Sequence, residues 1–203
     1  MAQRAVPGFA ARAGAGNEHV VPEHAALGTR ALAYFLDSLV LFGFTMVFVT
    51  VAFLNIFLRS DSGNSDPTDA IVWQSAVLLM LNVPAWFLFN IVFARRRGQS
   101  VGQFVIGLRP AKRNGDTPGL VRFVVYWLAL HPLLFHPLLA GFWFLFAYVV
   151  LALAESGPAV LALVAIGLIS IVAPFASLLF ALGDPQRRGI HDLIAGTRVV
   201  RIE

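Results

Sequence analysis

Two charged residues at the start of the first apolar stretch are of the types that ion chemistry uses. Asp37 lies inside a run that is otherwise almost wholly apolar, and Arg30 lies seven residues earlier, at its start. On a helix this spacing is nearly two turns, so both side chains lie on one face, about 10 Å apart along the axis. A carboxylate at the centre of a membrane helix costs about 2.5–3.5 kcal/mol, so Asp37 is by default a candidate binding residue. Arg30 is both an orientation anchor and a second candidate.

Two interpretations of Asp37 stay open from the sequence. In the first, the carboxylate is a site for a proton or Na⁺, which it exchanges as it titrates. In the second, it is a structural tie that pairs with a basic residue or with donors at a helix end.

The next apolar stretch carries Asn82 and Asn90 at depths that bracket Asp37, and we predict them as further binding residues. Hydrogen bonding between helices, worth about 0.6–2 kcal/mol, is the ordinary role of such amides.

The composition indicates the class of protein to which these residues belong. Hydrophobic residues make up 58% of the 203-residue chain and charged residues only 13%, against about 25% charged in soluble domains. We therefore expect an all-α integral membrane protein surrounded by the lipid bilayer. Cys is absent, which excludes disulfides, thiol catalysis and thiolate metal sites. The net charge of +4 comes from basic residues that flank apolar stretches, so no nucleic-acid partner is expected.

Four apolar segments are long enough to cross a bilayer, which requires about 20 residues of helix. The predicted spans are residues 31–58, 71–93, 133–153 and 159–182. The predicted fold is therefore a small bundle of about four transmembrane helices, with the third segment kinked or partly interfacial.

The third segment needs this qualification because residues 119–154 would reach roughly 50 Å as one helix, against a hydrocarbon core of about 30 Å. Pro132 and Pro137 interrupt it, since each lacks a backbone donor. The alternatives are two spans, one kinked span, or a surface segment followed by one span. Two spans would put the arginine-rich tail outside. The surface segment is preferred because Arg122 and the pair Tyr126–Trp127 are interfacial residue types.

The charges between the spans predict the orientation of the chain. Acidic residues dominate the first loop, whereas most basic residues lie in residues 94–118 and 184–203. Positive residues favour the cytoplasm, so we predict that these two segments and both termini are cytoplasmic. The spans are predicted to lie in the inner cell membrane.

Residues 1–27 lack the apolar core of a signal peptide. They are predicted as a flexible cytoplasmic tail that precedes the transmembrane domain, residues 28–203.

Two polar segments beside the spans carry signals of local structure. Residues 98–115 are rich in Gly, but the Lys-Ser/Thr ending of a phosphate-binding loop is missing, so that interpretation is rejected. In the tail, His191–Ile194 predicts a helical turn that Gly196 ends. Thr197–Ile202 alternates like a strand and is predicted to pair with residues 106–109. No internal repeat is expected.

Three sequence blocks resemble the RDD family of small membrane proteins, named for one Arg and two Asp. The blocks are TRALAYFLDSLVL, GQSVGQFVIGLRP and RRGIHDLIAGTRVV. The likeness extends from about Leu27 to Val200. It assigns Arg30 and Asp37 to the Arg and the first Asp, and Asp192 to the second Asp.

The resemblance implies a bacterial or archaeal membrane protein that takes part in transport, since one relative is linked to sodium/proton exchange. It also implies a shared role for Arg30 and Asp192 as candidate binding residues. They would form a charge-assisted cytoplasmic bridge, single or bidentate, that fastens the tail to the first helix. One departure from the family pattern is visible: a Thr and a basic residue are expected where the chain has Ser100 and Gln103.

The sequence leaves two functions open. The first is transport of a proton, a cation or a small solute with Asp37 as the intramembrane site; four spans are few for alternating access, so a homodimer is expected. The second is a non-transporting accessory or structural subunit of a larger membrane complex, which the small size and the 18 Phe residues favour. No nucleophile–base–acid set is visible, and His131 and His136 do not share a helix face. We therefore expect no enzymatic activity, no metal and no cofactor.

Overall fold

The computed structural model describes residues 25–202, which form eight α-helices, one short 3-10 helix (Asp61–Gly63) and one pair of strands. The helices are α1 (Leu27–Arg59), α2 (Asp69–Met80), α3 (Asn82–Arg97), α4 (Val101–Ile106), α5 (Leu120–Leu128), α6 (Pro137–Ala154), α7 (Gly157–Gly183) and α8 (Ile190–Ala195), and the strands are β1 (Leu108–Lys112) and β2 (Thr197–Arg201). The predicted flexible tail lies outside the described residues, apart from residues 25–27.

Four helical stretches in residues 25–202 are long and apolar enough to cross a membrane: α1, the stretch that contains α2 and α3, α6, and α7. This confirms the predicted all-α membrane bundle. Such segments fold as helices because lipid offers no hydrogen-bond partner, so each backbone N–H and C=O must be paired within its own segment. α6 has 18 residues, which at 1.5 Å per residue gives a length of about 27 Å.

The third apolar segment is divided between α5 and α6, as the two prolines predicted. α5 ends at Leu128 and α6 begins at Pro137. The ring nitrogen Nδ1 of His136 caps α6 by accepting a hydrogen bond of 3.1 Å from the backbone N–H of Leu138. A proline at the first helical position loses no hydrogen bond, because the N–H groups of the first turn have no partner inside the helix.

The predicted strand pairing is confirmed. β1 and β2 form a two-stranded antiparallel sheet, with Leu108 opposite Arg201 and Lys112 opposite Thr197. β1 begins later than predicted because Gly107, with a φ of 73°, ends α4 before the strand starts. Leu108 and the neighbouring strand residue Val199 pack their apolar side chains against the start of α1.

Two short units have the same local structure, although no internal repeat is apparent in the sequence. Each unit is a six-residue helix, a glycine with positive φ and a five-residue strand; we name them the α4–β1 unit and the α8–β2 unit. Their sequences, SVGQFVIGLR and GIHDLIAGTR, share only the glycine and an arginine two residues later. The likeness is therefore too weak to detect before the structure aligns the two units.

Both units lie at one end of the bundle, which we name the basic end. The backbone N–H of Ala25, just before α1, donates to the carbonyl of Val199 at 3.1 Å, so α1 begins beside β2. α5 and the loop before α6 close this end, where Tyr126, Trp127 and Leu133 form one buried cluster with Ala195 of α8. Short elements from distant parts of the sequence thus surround the first turns of α1.

Candidate functional site

The carboxylate of Asp37 is buried against the beginning of α4. Its Oδ2 accepts a hydrogen bond of 2.6 Å from Ser100 Oγ, and its Oδ1 accepts one of 2.7 Å from the backbone N–H of Gly102. Asp37 is only 2% exposed. Within residues 25–202, no Lys, Arg or His nitrogen lies within 4.0 Å of this carboxylate. The donors of a helix end, rather than a basic side chain, therefore hold Asp37.

The local sequence of α4 explains how this contact forms. Ser100 is the N-cap of α4: its hydroxyl accepts from the backbone N–H of Gln103, and the Gln103 side chain accepts from the backbone N–H of Ser100 at 3.0 Å. This capping box leaves the Ser100 hydroxyl hydrogen free for Asp37. A Ser where the family likeness predicts a Thr thus supplies the same hydroxyl.

Gly102 lets α4 approach α1 closely. A Cβ atom built on Gly102 would overlap the backbone carbonyl oxygen of Ala33 and would lie 2.9 Å from the Asp37 carboxyl carbon. Any side chain at this position would force the two helices apart. The hydrogen bond from Gly102 to Asp37 depends on the absence of that side chain.

Arg30 holds the other unit. Its Nη2 donates to Asp192 Oδ2 at 2.5 Å, and its Nη1 donates to the backbone carbonyl of Arg187. Asp192 is fully buried and also accepts from the backbone N–H of Gly189 at 3.0 Å and from Thr197 Oγ1 at 3.3 Å. The predicted bridge is present, but it is single rather than bidentate, because the second guanidinium nitrogen binds the carbonyl instead.

α1 therefore makes two separate polar contacts along one face. Arg30 binds the α8–β2 unit and Asp37 binds the α4–β1 unit. In both units an acidic side chain satisfies backbone N–H groups at the start of the short helix, although Asp192 belongs to its own helix and Asp37 comes from α1. Two residues of α1 thus connect this helix to two units that are distant from it in the sequence.

The two asparagines of the second span do not join this site. Asn82 Nδ2 donates to Thr45 Oγ1 at 3.0 Å, and Asn90 Nδ2 donates to the backbone carbonyl of Trp86 at 2.9 Å. Neither has a hydrogen bond to Asp37. The structure therefore does not bring the predicted binding residues Asn82 and Asn90 together with Asp37, because the donors of α4 occupy its carboxylate. Asn82 makes an ordinary bond between helices.

A cavity of about 220 Å³ lies among α1, α4, α5, α7 and α8 at the basic end. The polar residues that line it include Arg30, Asp37, Gln103, Tyr126, His131 and His191. Asn82 and Asn90 are not among its lining residues. The cavity brings together two of the residues assigned from the sequence with aromatic and imidazole groups that the sequence did not assign to a site.

Two buried histidines form part of an aromatic cluster in the cavity wall. The rings of His131 and His191 lie 4.6 Å apart, and Tyr126 lies 4.6 Å from the first and 4.9 Å from the second. His191 Nδ1 lies 3.1 Å from Ser177 Oγ of α7, and His131 Nδ1 accepts from the backbone N–H of Leu133 at 3.2 Å. The sequence did not assign Tyr126, His131 and His191 to a common site.

Both imidazoles are neutral at neutral pH. Burial lowers the pKa of His191 from 6.5 to about 3, and the positive charge of Arg30 adds to the effect. Burial also lowers the pKa of His131 well below 6.5, and the neighbouring His191 lowers it further. His191 Nε2 lies 3.7 Å from Asp192 Oδ2, but a neutral ring makes no ion pair. Of His191 and Arg30, only Arg30 therefore forms an ion pair with Asp192.

The lowered pKa of His191 predicts a loss of stability in mild acid. The unfolded chain binds the proton below about pH 6.5 while the folded protein resists it down to about pH 3, so stability falls as the pH falls through that window. Protonation of this residue changes the free energy of unfolding by at most about 1.4 kcal/mol per pH unit. The groups that face His191 are Arg30, Asp192, His131 and Tyr126. Thermal unfolding in detergent between pH 7.5 and pH 4.5 measures the slope.

His191→Phe separates this residue from the rest of the chain in the same experiment. Phe keeps an aromatic ring in the cluster but cannot titrate, so the melting temperature should depend less steeply on pH than that of the parent. Identical slopes for the parent and the variant would show that His191 does not control the acid sensitivity.

One protein family matches the chain over most of its length. Its model, described as the RDD family, matches residues 24–196. This range includes Arg30, Asp37 and Asp192, the three residues whose contacts connect α1 with the two units. No curated protein and no solved structure matches the chain significantly.

Proposed function

Because the chain belongs to the RDD family and has four helices able to cross a membrane, we propose that it is a membrane transport protein. It moves a proton, a cation or a small solute, and Asp37 is its intramembrane site. One observation carries the proposal: a buried carboxylate lines a cavity and has no basic side chain within 4.0 Å in residues 25–202. A buried charge without an opposite charge beside it is costly even when it accepts hydrogen bonds. A proton or a cation that enters the cavity is a natural compensation.

The hydrogen bonds of Asp37 suit a carboxylate that alternates between two states. When it is ionised, Ser100 Oγ and the backbone N–H of Gly102 both donate to it and stabilise the charge. When a proton binds, the carboxyl group gains a donor, and the Ser100 hydroxyl can rotate to accept it. The site therefore needs no basic residue of its own in either state. The neutral rings of His131 and His191 add polar groups to the cavity wall without a competing positive charge.

The distribution of charge and the number of spans favour one orientation and one assembly. Residues 94–118 and 184–203 carry most of the positive charge, and such segments are retained in the cytoplasm. The basic end therefore faces the cytoplasm, in the inner membrane of a bacterial or archaeal cell. Four crossings are few for alternating access, so the transporting unit is a homodimer. The function is transport rather than catalysis, since the sequence offers no nucleophile–base–acid set.

Ion flux into proteoliposomes tests the role of Asp37. Liposomes that contain the protein and a pH-sensitive dye receive pulses of NaCl or KCl, and the internal pH is followed. The parent should change the internal pH faster than empty liposomes do. With Asp37→Asn, the internal pH should change only as fast as in empty liposomes, because an amide side chain neither binds nor releases a proton near neutral pH.

Asp69→Asn is the matched control for this experiment. Asp69 is an exposed carboxylate in the first turn of α2, so its replacement removes the same charge away from the cavity and should leave the flux unchanged. If Asp37→Asn carries the same flux as the parent, Asp37 is not the coupling site.

A second candidate function is a non-transporting accessory subunit of a larger membrane complex. The observation that favours it is that Asp37 and Arg30 each hold a helix–strand unit on α1, which is a sufficient structural reason for both charges. In this case neither the parent nor Asp37→Asn produces flux, and the variant only melts at a lower temperature. Purification in a mild detergent separates the two candidates, because a lone dimer without a partner protein would count against an accessory role.

A further inference from the structure

A second cavity lies at the basic end, where α3 ends. It has a volume of about 310 Å³, and three successive arginines, Arg95–Arg97, line it together with Thr117, Pro118 and the first turn of α5. None of its lining residues is acidic. Within residues 25–202, no carboxylate lies within 4.0 Å of these arginines. The cavity therefore concentrates positive charge that has no counter-charge in the described part of the chain.

The backbone around the arginines gives the cavity a defined wall. Gly98 has a φ of 75° and turns the chain at the end of α3, and its backbone N–H donates to the carbonyl of Ala94 at 2.7 Å. A Cβ atom on Gly98 would lie 3.3 Å from a methyl carbon of Thr117, so the loop before α5 packs against this turn. The guanidinium of Arg97 lies 5.1 Å from the ring centre of Phe104. Arginines at the end of a helix also stabilise its carbonyl groups, but that effect requires no walled cavity.

The surface beside the cavity is apolar and exposed. On α5, Val121 is 77% exposed and Leu128 is 56% exposed, whereas Phe123 and Trp127 of the same helix are buried. α4 likewise exposes Phe104 and Val105. Short helices with one buried face and one exposed apolar face are typical of helices that lie in the membrane interface. Acyl chains of lipid would cover this surface.

We propose that the arginine cavity binds the phosphate of an anionic phospholipid headgroup, with the acyl chains of that lipid along the exposed apolar faces of α4 and α5. Guanidinium groups match phosphate oxygens in geometry and charge, and basic cavities at the cytoplasmic ends of membrane helices are suited to such headgroups. The adjacent apolar surface favours a lipid over a soluble phosphate. This site is separate from the cavity of Asp37 and does not depend on transport.

Titration of the purified protein in a mild detergent tests the site. Phosphatidylglycerol, phosphatidylcholine and inorganic phosphate are added separately, and the shift in melting temperature gives the apparent affinity. Phosphatidylglycerol should stabilise the protein at lower concentration than phosphatidylcholine, and inorganic phosphate should have little effect. Replacement of all three residues of Arg95–Arg97 by Gln should weaken the response to phosphatidylglycerol by roughly 10- to 100-fold.

A matched control removes three positive charges elsewhere on the same end of the chain. Lys112→Gln, Arg113→Gln and Arg201→Gln together should leave the response to phosphatidylglycerol within about two-fold of the parent. An equal loss in this control would show a diffuse charge effect and overturn the site. Equal stabilisation by inorganic phosphate would overturn the lipid assignment. If the Gln variant of Arg95–Arg97 has a lower melting temperature than the parent even without lipid, the three arginines are replaced by Lys, which keeps the positive charge. This Lys variant should still bind phosphatidylglycerol more weakly than the parent, because Lys lacks the planar fork of Arg.

Discussion

Gly102→Ala is expected to destabilise the protein by about 4 kcal/mol, the sum of overpacking and of a weakened hydrogen bond to a buried carboxylate. The added methyl group would overlap the carbonyl oxygen of Ala33 and would lie 2.9 Å from the carboxyl carbon of Asp37. Backbone atoms cannot rotate away as a flexible side chain can, so α4 must move away from α1. That movement would lengthen the hydrogen bond of 2.7 Å from Gly102 to Asp37. Thermal unfolding of the purified variant in detergent measures the loss.

Gly43→Ala is the matched control for this prediction. Gly43 also lies in a helix, α1, but a Cβ atom there would have no neighbour within 4 Å. Replacement of a helical glycine by alanine favours the helix by up to about 1 kcal/mol, so this variant should melt at or above the temperature of the parent. If Gly102→Ala has the same melting temperature as the parent and as Gly43→Ala, α4 does not lie as close to α1 at Gly102 as described.

Arg30→Gln is expected to destabilise the protein by about 3–5 kcal/mol, because it leaves a buried charge without compensation. Asp192 is fully buried, and Arg30 is the basic side chain that reaches it, at 2.5 Å. The backbone donor at Gly189 and the hydroxyl of Thr197 would remain, but neither carries a full positive charge. Chemical unfolding in detergent gives the change in the free energy of unfolding.

A double variant separates the interaction energy between Arg30 and Asp192 from the effect of each residue alone. Arg30→Gln with Asp192→Asn removes both charges, so it should be more stable than Arg30→Gln alone, with a coupling energy of about 1–3 kcal/mol. Arg188→Gln is the comparison for an ordinary ion pair. It breaks the contact of 2.8 Å with Asp184, whose side chain is more exposed than that of Asp192, and it should have a much smaller effect. Equal losses in Arg30→Gln and Arg188→Gln would mean that Arg30 does not hold the α8–β2 unit.

The predictable parts of the fold depend on local chemistry. A membrane segment must pair its own backbone groups, so apolar runs alone predict the four helical stretches. The break between α5 and α6 follows from the missing donors of Pro132 and Pro137. The turn at Gly196 and the alternation of β2 are likewise visible within a few residues. In each case the signal and the structure that it predicts occupy the same short segment.

The contacts of the site are less predictable because they join distant segments. The Arg30–Asp192 pair was expected only from the likeness to a family, since a surface carboxylate is the ordinary interpretation of Asp192 alone. Donors at a helix end were one of the two interpretations of Asp37 open from the sequence. The sequence did not predict which helix end, because one of the donors is the backbone N–H of Gly102, and a backbone N–H is common to every residue except proline. The depth of Asn82 and Asn90 in the membrane predicts that they lie near Asp37, but depth does not determine which face of a helix meets which neighbour.

The sequence by itself determined that the chain is an α-helical membrane protein and where its four apolar stretches and β2 lie, because hydrophobicity and turn chemistry act over short distances. It also singled out Asp37 as a carboxylate that needs compensation. Only the tertiary structure decided what compensates it: α4 reaches α1 through a position that tolerates no side chain. Likewise, only packing brought His131, His191 and Tyr126 into one wall of a cavity. Such juxtapositions depend on how helices from distant parts of the chain fit together, which no short segment of sequence encodes.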